Sequence, residues 1–579
     1  MKAPRIPELL RLAAALVLVN ALLVTPAWLA VSVADGQAIE ISARTGPGSW
    51  IALEAALVVG ALTLLPRGLW MIGFAWAAAG TVIAATVIGV TDVVFQVSLA
   101  RPLNLFIDLY LVGALYNLAI GNVGLATTLA TPLLALLVLS VLGIVLVRLL
   151  VARDHSAVGR GGGPQKPRRK QFAPRLAGVA LVVFSALGLT LEAAPAFESP
   201  FSTPVVHLIR TQGTLFADTR RERARFENEL TAPDNYAELP GLLSGLGGRD
   251  VVMVFIESYG MAALEDPQFG AVVGPRLDTL AARAESAGVH LVTGELVSPT
   301  QGGQSWYAHG TVISGLWLSN QLRYELLLAS DRKTLVDDFS YAGYRTAALM
   351  PAITRRWPDG VRLGYDEVHT AANITYKGPP LYWVTMPDQF TWSYLQRSVR
   401  EGRKRTPLFV EAAMVSSHAP WTPVLPMIGW DEVGDGSRFE PFRQQGYPPE
   451  ELWVDIDVLR EQYAESIEYS LEAMTGYVER YLDERTLLIV MGDHQAAPWV
   501  IGATGADVPV HVFASDRSLL KPFLDWGFVP GAFPGQQGEA HRMDEFRSWF
   551  IEAFSGVPQG SRASSRGAST LVSAEEDQP

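Results

Sequence analysis

The chain has 579 residues, 49% of them hydrophobic and 18% charged, and its mean hydropathy of +0.20 excludes both a disordered chain and an ordinary soluble enzyme of this size. The net charge of −12 is unevenly placed: residues 1–194 carry 14 Lys+Arg and 8 Asp+Glu, and residues 195–579 carry 32 and 50. An acidic back half excludes nucleic acid, whose phosphates need a basic face, and the absence of cysteine excludes disulfides, Cys-ligated metals and thiol nucleophiles.

A bilayer core takes about 20 apolar residues as a helix. Five stretches qualify, at 9–32, 49–66, 68–92, 122–150 and 174–194, and they predict a five-helix transmembrane bundle over residues 1–195. Runs such as 133–147 are apolar around the whole circumference, as lipid-facing helices are. Basic residues stay cytoplasmic, and three groups of them orient the spans: Lys2, Arg5 and Arg11; Arg67; and the group from Arg148 through Arg153, Arg160, Lys166, Arg168, Arg169 and Lys170 to Arg175. Five crossings that begin inside then place everything after residue 195 outside the cytoplasm, in a multi-pass protein of the plasma (inner) membrane. Residues 103–120 mix Asn104, Asp108, Tyr110, Tyr116 and Asn117 with aliphatic residues, which predicts a helix lying in the interface. Glu54 lies close enough to the end of its stretch to reach headgroups.

The connector 159–170 is Gly-rich and basic, suited to anionic headgroups. Residues 196–249 read as a juxtamembrane linker with a charged helix over 219–230. The Ser/Gly/Ala-rich tail, 556–579, reads as disordered. Between 250 and 555, apolar runs at 251–256, 344–350, 408–415, 486–491 and 508–514 predict strands, and 304–316, 452–482 and 541–554 predict helices. This alternation implies one large α/β domain with a mostly parallel sheet.

Ligands of such sheets bind beyond the carboxyl ends of the strands. Glu257 follows VVMVFI, His418 follows LFVEAAMVSS, and Asp493 and His494 follow TLLIVMG. Two carboxylates and an imidazole at one edge suit a divalent ion, Mn or Zn first and Mg or Ca next; singly, each residue would serve equally as a cap or a buried polar group. The segment SPTQGGQSWYAHGT, 298–311, makes a Gly-rich turn that opens a helix near Ser305. A hydroxyl there either meets an anion at the helix N-terminus or simply caps the helix.

VVMVFIESYG, the Gly-rich hydroxyl turn, SSHAPW and MGDHQ occur in an order that resembles the alkaline phosphatase and sulfatase superfamily. With apolar spans ahead of them they resemble its membrane-anchored branch, the lipoteichoic acid synthases (phosphoglycerol transferases) and phosphoethanolamine transferases. The resemblance implies that Glu257, Asp493 and His494 hold one metal ion with Ser305 as fourth ligand and nucleophile, Thr300 being the alternative nucleophile. It implies that His418 contacts the transferred group or protonates the leaving group. Arg355 and Arg356 either clamp phosphate oxygens or are surface charges, and His309 and His541 are further candidates for substrate binding. The implied activity moves a phospho-headgroup from a membrane lipid donor to an envelope glycan or lipid acceptor through a covalent Ser intermediate. The alternatives are a metal-dependent phosphodiesterase, phosphatase or other sulfatase-family hydrolase with water as acceptor, and a catalytically silent envelope-assembly protein. Ser305 lacks the x-Pro-x-Arg context of sulfatases, and the lack of cysteine favours a phosphoglycerol-like headgroup over phosphoethanolamine.

Overall fold

The computed structural model describes residues 8–33, 50–66, 68–151, 172–192, 200–233, 236, 238–401, 406–502, 505–535 and 540–556; the connector 159–170 and the tail beyond residue 556 lie outside them, as do most of the basic residues that orient the spans. The chain divides into two compact units, Met1–Glu222 and Arg223–Pro579.

Among the described residues of the first unit four helical segments are long and apolar enough to cross a membrane: Glu8–Ser32, Leu69–Leu99, Gly124–Leu150 and Ala173–Leu191. They define a membrane protein. Leu133, Leu134, Leu136, Leu137 and Val138 are each more than half exposed, an apolar surface that only lipid satisfies. The fifth expected span falls short. Its helix is Leu53–Leu64, 12 residues, about 18 Å at 1.5 Å per residue against a hydrocarbon core of about 30 Å. Pro66 and Gly68 end it. The expected interfacial helix over 103–120 also takes another form. Leu105–Asp108 makes a short turn of helix, closed by the ion pair of Arg101 and Asp108 at 2.8 Å, and a 40-residue helix, Leu111–Leu150, follows with its break at Gly124 (φ 78°).

The short helix is held by close packing. Gly60 and Gly178 let it approach Phe172–Glu192 so nearly that a Cβ on Gly178 would fall on the Thr63 hydroxyl, and Ser185 Oγ donates to Leu53 O across the same contact at 3.1 Å. Before it, β1 (Ile51–Ala52) pairs in parallel with β2 (Phe201–Ser202). Glu54 Oε1 accepts from the N–H groups of Val205 and Val206 at 3.1 and 3.3 Å, capping the helix Pro204–Leu230. That helix includes the expected charged segment and starts 15 residues earlier than its charge pattern suggests.

The second unit is built on a nine-stranded sheet: β3 (Asp250–Ile256), β4 (His290–Val297), β5 (Arg345–Met350), β6 (Glu367–Thr370), β7 (Leu408–Met414), β8 (Thr486–Gly492), β9 (Asp507–Ala514), β10 (Val529–Pro530) and β11 (His541–Arg542). Its order is β10-β4-β9-β8-β3-β7-β5-β6, with β11 beside β4. β8, β3, β7, β5 and β6 run parallel, and β9 is antiparallel to both neighbours. The central strands are apolar on both sides because both faces are covered. Val252, Val254 and Ile256 face the helices Pro267–Ser286 and Ile456–Tyr481, while Val251, Met253 and Phe255 face Trp306–Ser314, Leu335–Tyr341 and Phe546–Phe554. The expected last helix begins at Phe546 rather than 541, because His541 and Arg542 pair with Leu296 and Val297.

A branched residue at Gly178 must push two helices apart. Gly178→Val should destabilise the detergent-solubilised protein by about 1–3 kcal/mol, read as a fall in Tm, whereas Gly73→Val, with nothing within 4 Å of the new Cβ, should leave Tm unchanged.

Candidate active site

β3 lies between β7 and β8, and the two residues just past β3 and β8 are Glu257 and Asp493. Glu257 N donates to Met414 O at 3.0 Å and Asp493 N to Ile256 O at 3.3 Å, so each is fixed by the end of the neighbouring strand. Parallel pairing therefore carries two carboxylates to one spot from positions 236 residues apart. Asp493 Oδ1 accepts from Ser258 N and His494 N at 2.8 and 2.7 Å. The His494 ring is set by Gln495 O, which accepts from Nδ1 at 2.8 Å, leaving Nε2 3.2 Å from Glu257 Oε1 and 3.7 Å from Asp493 Oδ2.

Ser305 joins this group. It stands in the cap position of the helix Trp306–Ser314 yet makes no capping hydrogen bond. Its Oγ donates to Glu257 Oε2 at 3.0 Å and lies 3.2 Å from His494 Nε2. The turn that delivers it takes φ of 72°, 142° and 65° at Gly302, Gly303 and Gln304, a run that needs the two glycines and puts strain on Gln304. The turn is tied to the Asp493 loop by Ser298 Oγ donating to Asp493 O at 2.6 Å and Gly302 N donating to Gln495 O at 2.9 Å. Thr300 is turned away, its Oγ1 donating to Gly303 O at 2.7 Å.

Ligand atoms of Glu257, Asp493 and His494 all lie within 4.8 Å of one another, nearly or fully buried. Burial raises the Asp493 carboxyl, and the Glu257 charge adds to this, up to about 6. Burial would lower His494, but Asp493 and Glu257 overcome it and push the imidazole up to about 9. Burial would raise Glu257, but the nearby charges of His418 and His494 hold it below the usual carboxylate range. The cluster is short of positive charge, and a proton on His494 partly fills the role. Two carboxylates, one imidazole nitrogen and a hydroxyl are the donor set of a divalent cation, and these residues fit one.

His418 is close enough to act on Glu257 electrostatically, and its loop is bolted down by Ser417 Oγ donating to Glu257 O at 2.5 Å. Trp383 lies against its ring at 5.7 Å. Asp388, fully buried, accepts from Val415 N and Ser416 N at 2.7 and 2.9 Å and from Ser470 Oγ at 2.7 Å, which fixes the loop before His418. Nothing in the sequence pattern marks Asp388. His309 lies below Ser305, with Nδ1 2.6 Å from Glu411 Oε1. Arg355 and Arg356 are exposed on the loop after β5. His541 is not brought to the cluster: it sits on β11 beside β4, stacked on Trp526 at 4.7 Å and 3.2 Å from Glu545.

Fold and site together define a membrane-anchored α/β protein whose centre, a hydroxyl among potential metal ligands, lies at the carboxyl ends of its parallel strands. No protein-family model and no curated protein matches the chain. Among solved structures it is similar to the integral membrane lipooligosaccharide phosphoethanolamine transferase A (EptA) of Neisseria meningitidis, at 13% identity over 86% of this chain and 92% of that one, TM-score 0.44. It is also similar to the lipoteichoic acid synthase LtaP of Listeria monocytogenes (11% identity, 56% of this chain, 78% of that one, TM-score 0.35) and to the phosphoglycerol transferase GacH of Streptococcus pyogenes (11%, 58%, 91%, 0.33).

Metal ligands must be deprotonated, so a cation competes with the proton that His494 carries below about 9. Apparent Zn or Mn affinity of the metal-stripped protein should therefore rise with pH by about tenfold per unit between pH 6 and 9, one proton leaving per ion bound, and level off above. Competition with a chelator of known affinity at each pH checks this; a flat profile would contradict it.

Proposed function

We propose that the protein is a metal-dependent phosphotransferase that moves a phosphoglycerol-like headgroup from a membrane lipid to a hydroxyl of an envelope glycan or lipid. The observation that carries the reading is the Ser305 hydroxyl, which makes no capping bond and instead reaches Glu257 and His494.

Glu257, Asp493 and His494, with Ser305, would hold one divalent ion, Zn or Mn. Such an ion supplies positive charge that lowers the pKa of a hydroxyl and offsets charge developing on a phosphoryl group. Ser305 Oγ, its proton already lost to water, attacks the lipid phosphorus; the Ser–O–P bond forms and the bond to the diacylglycerol oxygen breaks. His418 gives that oxygen its proton. In the second half an acceptor hydroxyl passes its proton to His418 and attacks phosphorus; the bond from phosphorus to Ser305 Oγ breaks and Ser305 leaves as the alkoxide that began the cycle. Arg355 and Arg356 clamp the free phosphoryl oxygens.

The eight basic residues from Arg148 to Arg175 mark the start of the last span as cytoplasmic, so the chain beyond that span lies outside. If the 12-residue helix Leu53–Leu64 also crosses, Lys2, Arg5 and Arg11 fall on the same, cytoplasmic side. It gives the domain access to envelope acceptors, and the spans tether it to the membrane that carries the donor.

Ser305→Ala should lower phosphodiester turnover by at least about a thousandfold while metal binding and folding persist. Incubation with a lipid whose headgroup is labelled should leave the label on Ser305 of the wild type, read by mass spectrometry of the digested protein. An active Ser305→Ala enzyme, or label on another residue, would overturn the assignment. Label released only as free headgroup would make water the acceptor.

A further inference from the structure

Beneath the site lies a second group of buried polar side chains that this reaction does not use. His309 is one turn beyond Ser305 on the same face of the helix Trp306–Ser314. Its Nδ1 lies 2.6 Å from Glu411 Oε1, and its ring stacks on Phe255 with centroids 3.9 Å apart. Glu411, in the middle of β7, is 1% exposed, and its Oε2 accepts from the Tyr365 hydroxyl. Both carboxylate oxygens are engaged.

A carboxylate inside a central strand is costly to bury, and a pair of aliphatic side chains would fill the space at least as stably. The geometry gives the pair another use. Phe255 precedes Glu257 by two residues on one face of the sheet, and Ser305 precedes His309 by four on one face of the helix. Two strand residues advance about 6.6 Å and four helix residues about 6 Å. The Ser305–Glu257 and His309–Phe255 contacts are therefore matched rungs between one helix and one strand, and Glu411 locks the lower rung. At its other end the same helix meets a second buried pair: Arg547 Nη1 donates to Ser314 O at 3.5 Å while Arg547 and Asp338 bond at 2.8 and 3.2 Å. A nine-residue helix so held cannot slide along the sheet, and the Ser305 side chain is too short to make good a shift of its backbone.

We propose that Glu411, acting through His309, is a positioning residue that sets the approach of the Ser305 hydroxyl to the metal-ligating cluster. The proposal rests on reading Ser305 as the nucleophile. It makes Glu411 and His309 contributors to turnover rather than to substrate or metal affinity.

The test uses the full-length, metal-loaded protein in detergent. Glu411→Leu and His309→Leu should each lower kcat for a chromogenic phosphodiester by at least about tenfold with KM within about twofold, and the double variant should fall no further than either single one. Glu411→Gln keeps an acceptor for Nδ1 and should return kcat to within about threefold of wild type. The visible spectrum of the Co2+-loaded protein reports the ligand set without turnover; it should move in Glu411→Leu towards that of Ser305→Ala and stay at wild type in Glu411→Gln. If Glu411→Leu does not fold, His309→Asn carries the same expectations. Variants that lose Tm but keep wild-type kcat and Co2+ spectrum would make the pair purely structural and overturn the proposal, as would a Glu411→Gln enzyme no better than Glu411→Leu. An inactive Ser305→Ala beside an unaffected Glu411→Leu removes only the positioning role, whereas an active Ser305→Ala removes the function it serves.

Discussion

The site is organised by an electrostatic conflict: two carboxylates, Glu257 and Asp493, forced together where little water reaches them. Like charges in such a place separate, take up a proton or bind a cation. Here they cannot separate, because each is pinned by the backbone of the strand beside it, and the bonds from Ser258 N and His494 N fix the Asp493 oxygens further. Burial first, and then the Glu257 charge, raises the Asp493 carboxyl, and the two carboxylates raise His494 against the effect of its own burial. A divalent ion would resolve it, and the group placed to complete such an ion's shell is the Ser305 hydroxyl.

The rest of the second unit serves that convergence. β3 sits between β7 and β8, all three parallel, so the residues that leave their carboxyl ends meet without any loop longer than a few residues between strand and ligand. Apolar layers on both faces keep the central strands from shifting. Polar side chains that point into those layers, Asp388, Glu411 and the Arg547–Asp338 pair, sit where a loop or helix bearing a site residue must be held.

Much of this is visible in the amino-acid sequence, because a continuous apolar run that ends abruptly in a charged residue is what a strand buried on both faces looks like when its tip emerges at a polar site. VVMVFI before Glu257 and TLLIVMG before Asp493 show both the strands and what they present. The failures have equally physical origins. β4, HLVTGELV, carries a His, a Thr, a Gly and a Glu that interrupt its pattern, and β11 is two residues held by pairing alone, so in the sequence His541 reads as the start of a helix. The stretch 49–66 has the composition of a span, but Leu53 begins its helix late and Pro66 stops it. Glu411 does leave a trace: a lone acid inside LFVEAAM is a charge where every neighbour is apolar, and such a residue needs a partner from elsewhere in the fold. Its partner, four residues past Ser305, is legible only once the helix lies on the sheet.

The site's components are scattered along the chain, with Glu257 near the start of the second unit, Ser305 and His309 next, Glu411 a hundred residues on, and Asp493 and His494 later still. β3 must wait for β7 and β8, its two neighbours, before it has a place to lie, and pairings across such separations form slowly. During biosynthesis no cation-binding pocket exists until nearly the whole unit has been made and folded. An ion held there would therefore be acquired late and from whichever compartment the finished domain occupies, so the supply of metal in that compartment, rather than at the ribosome, would govern which ion fills the cluster.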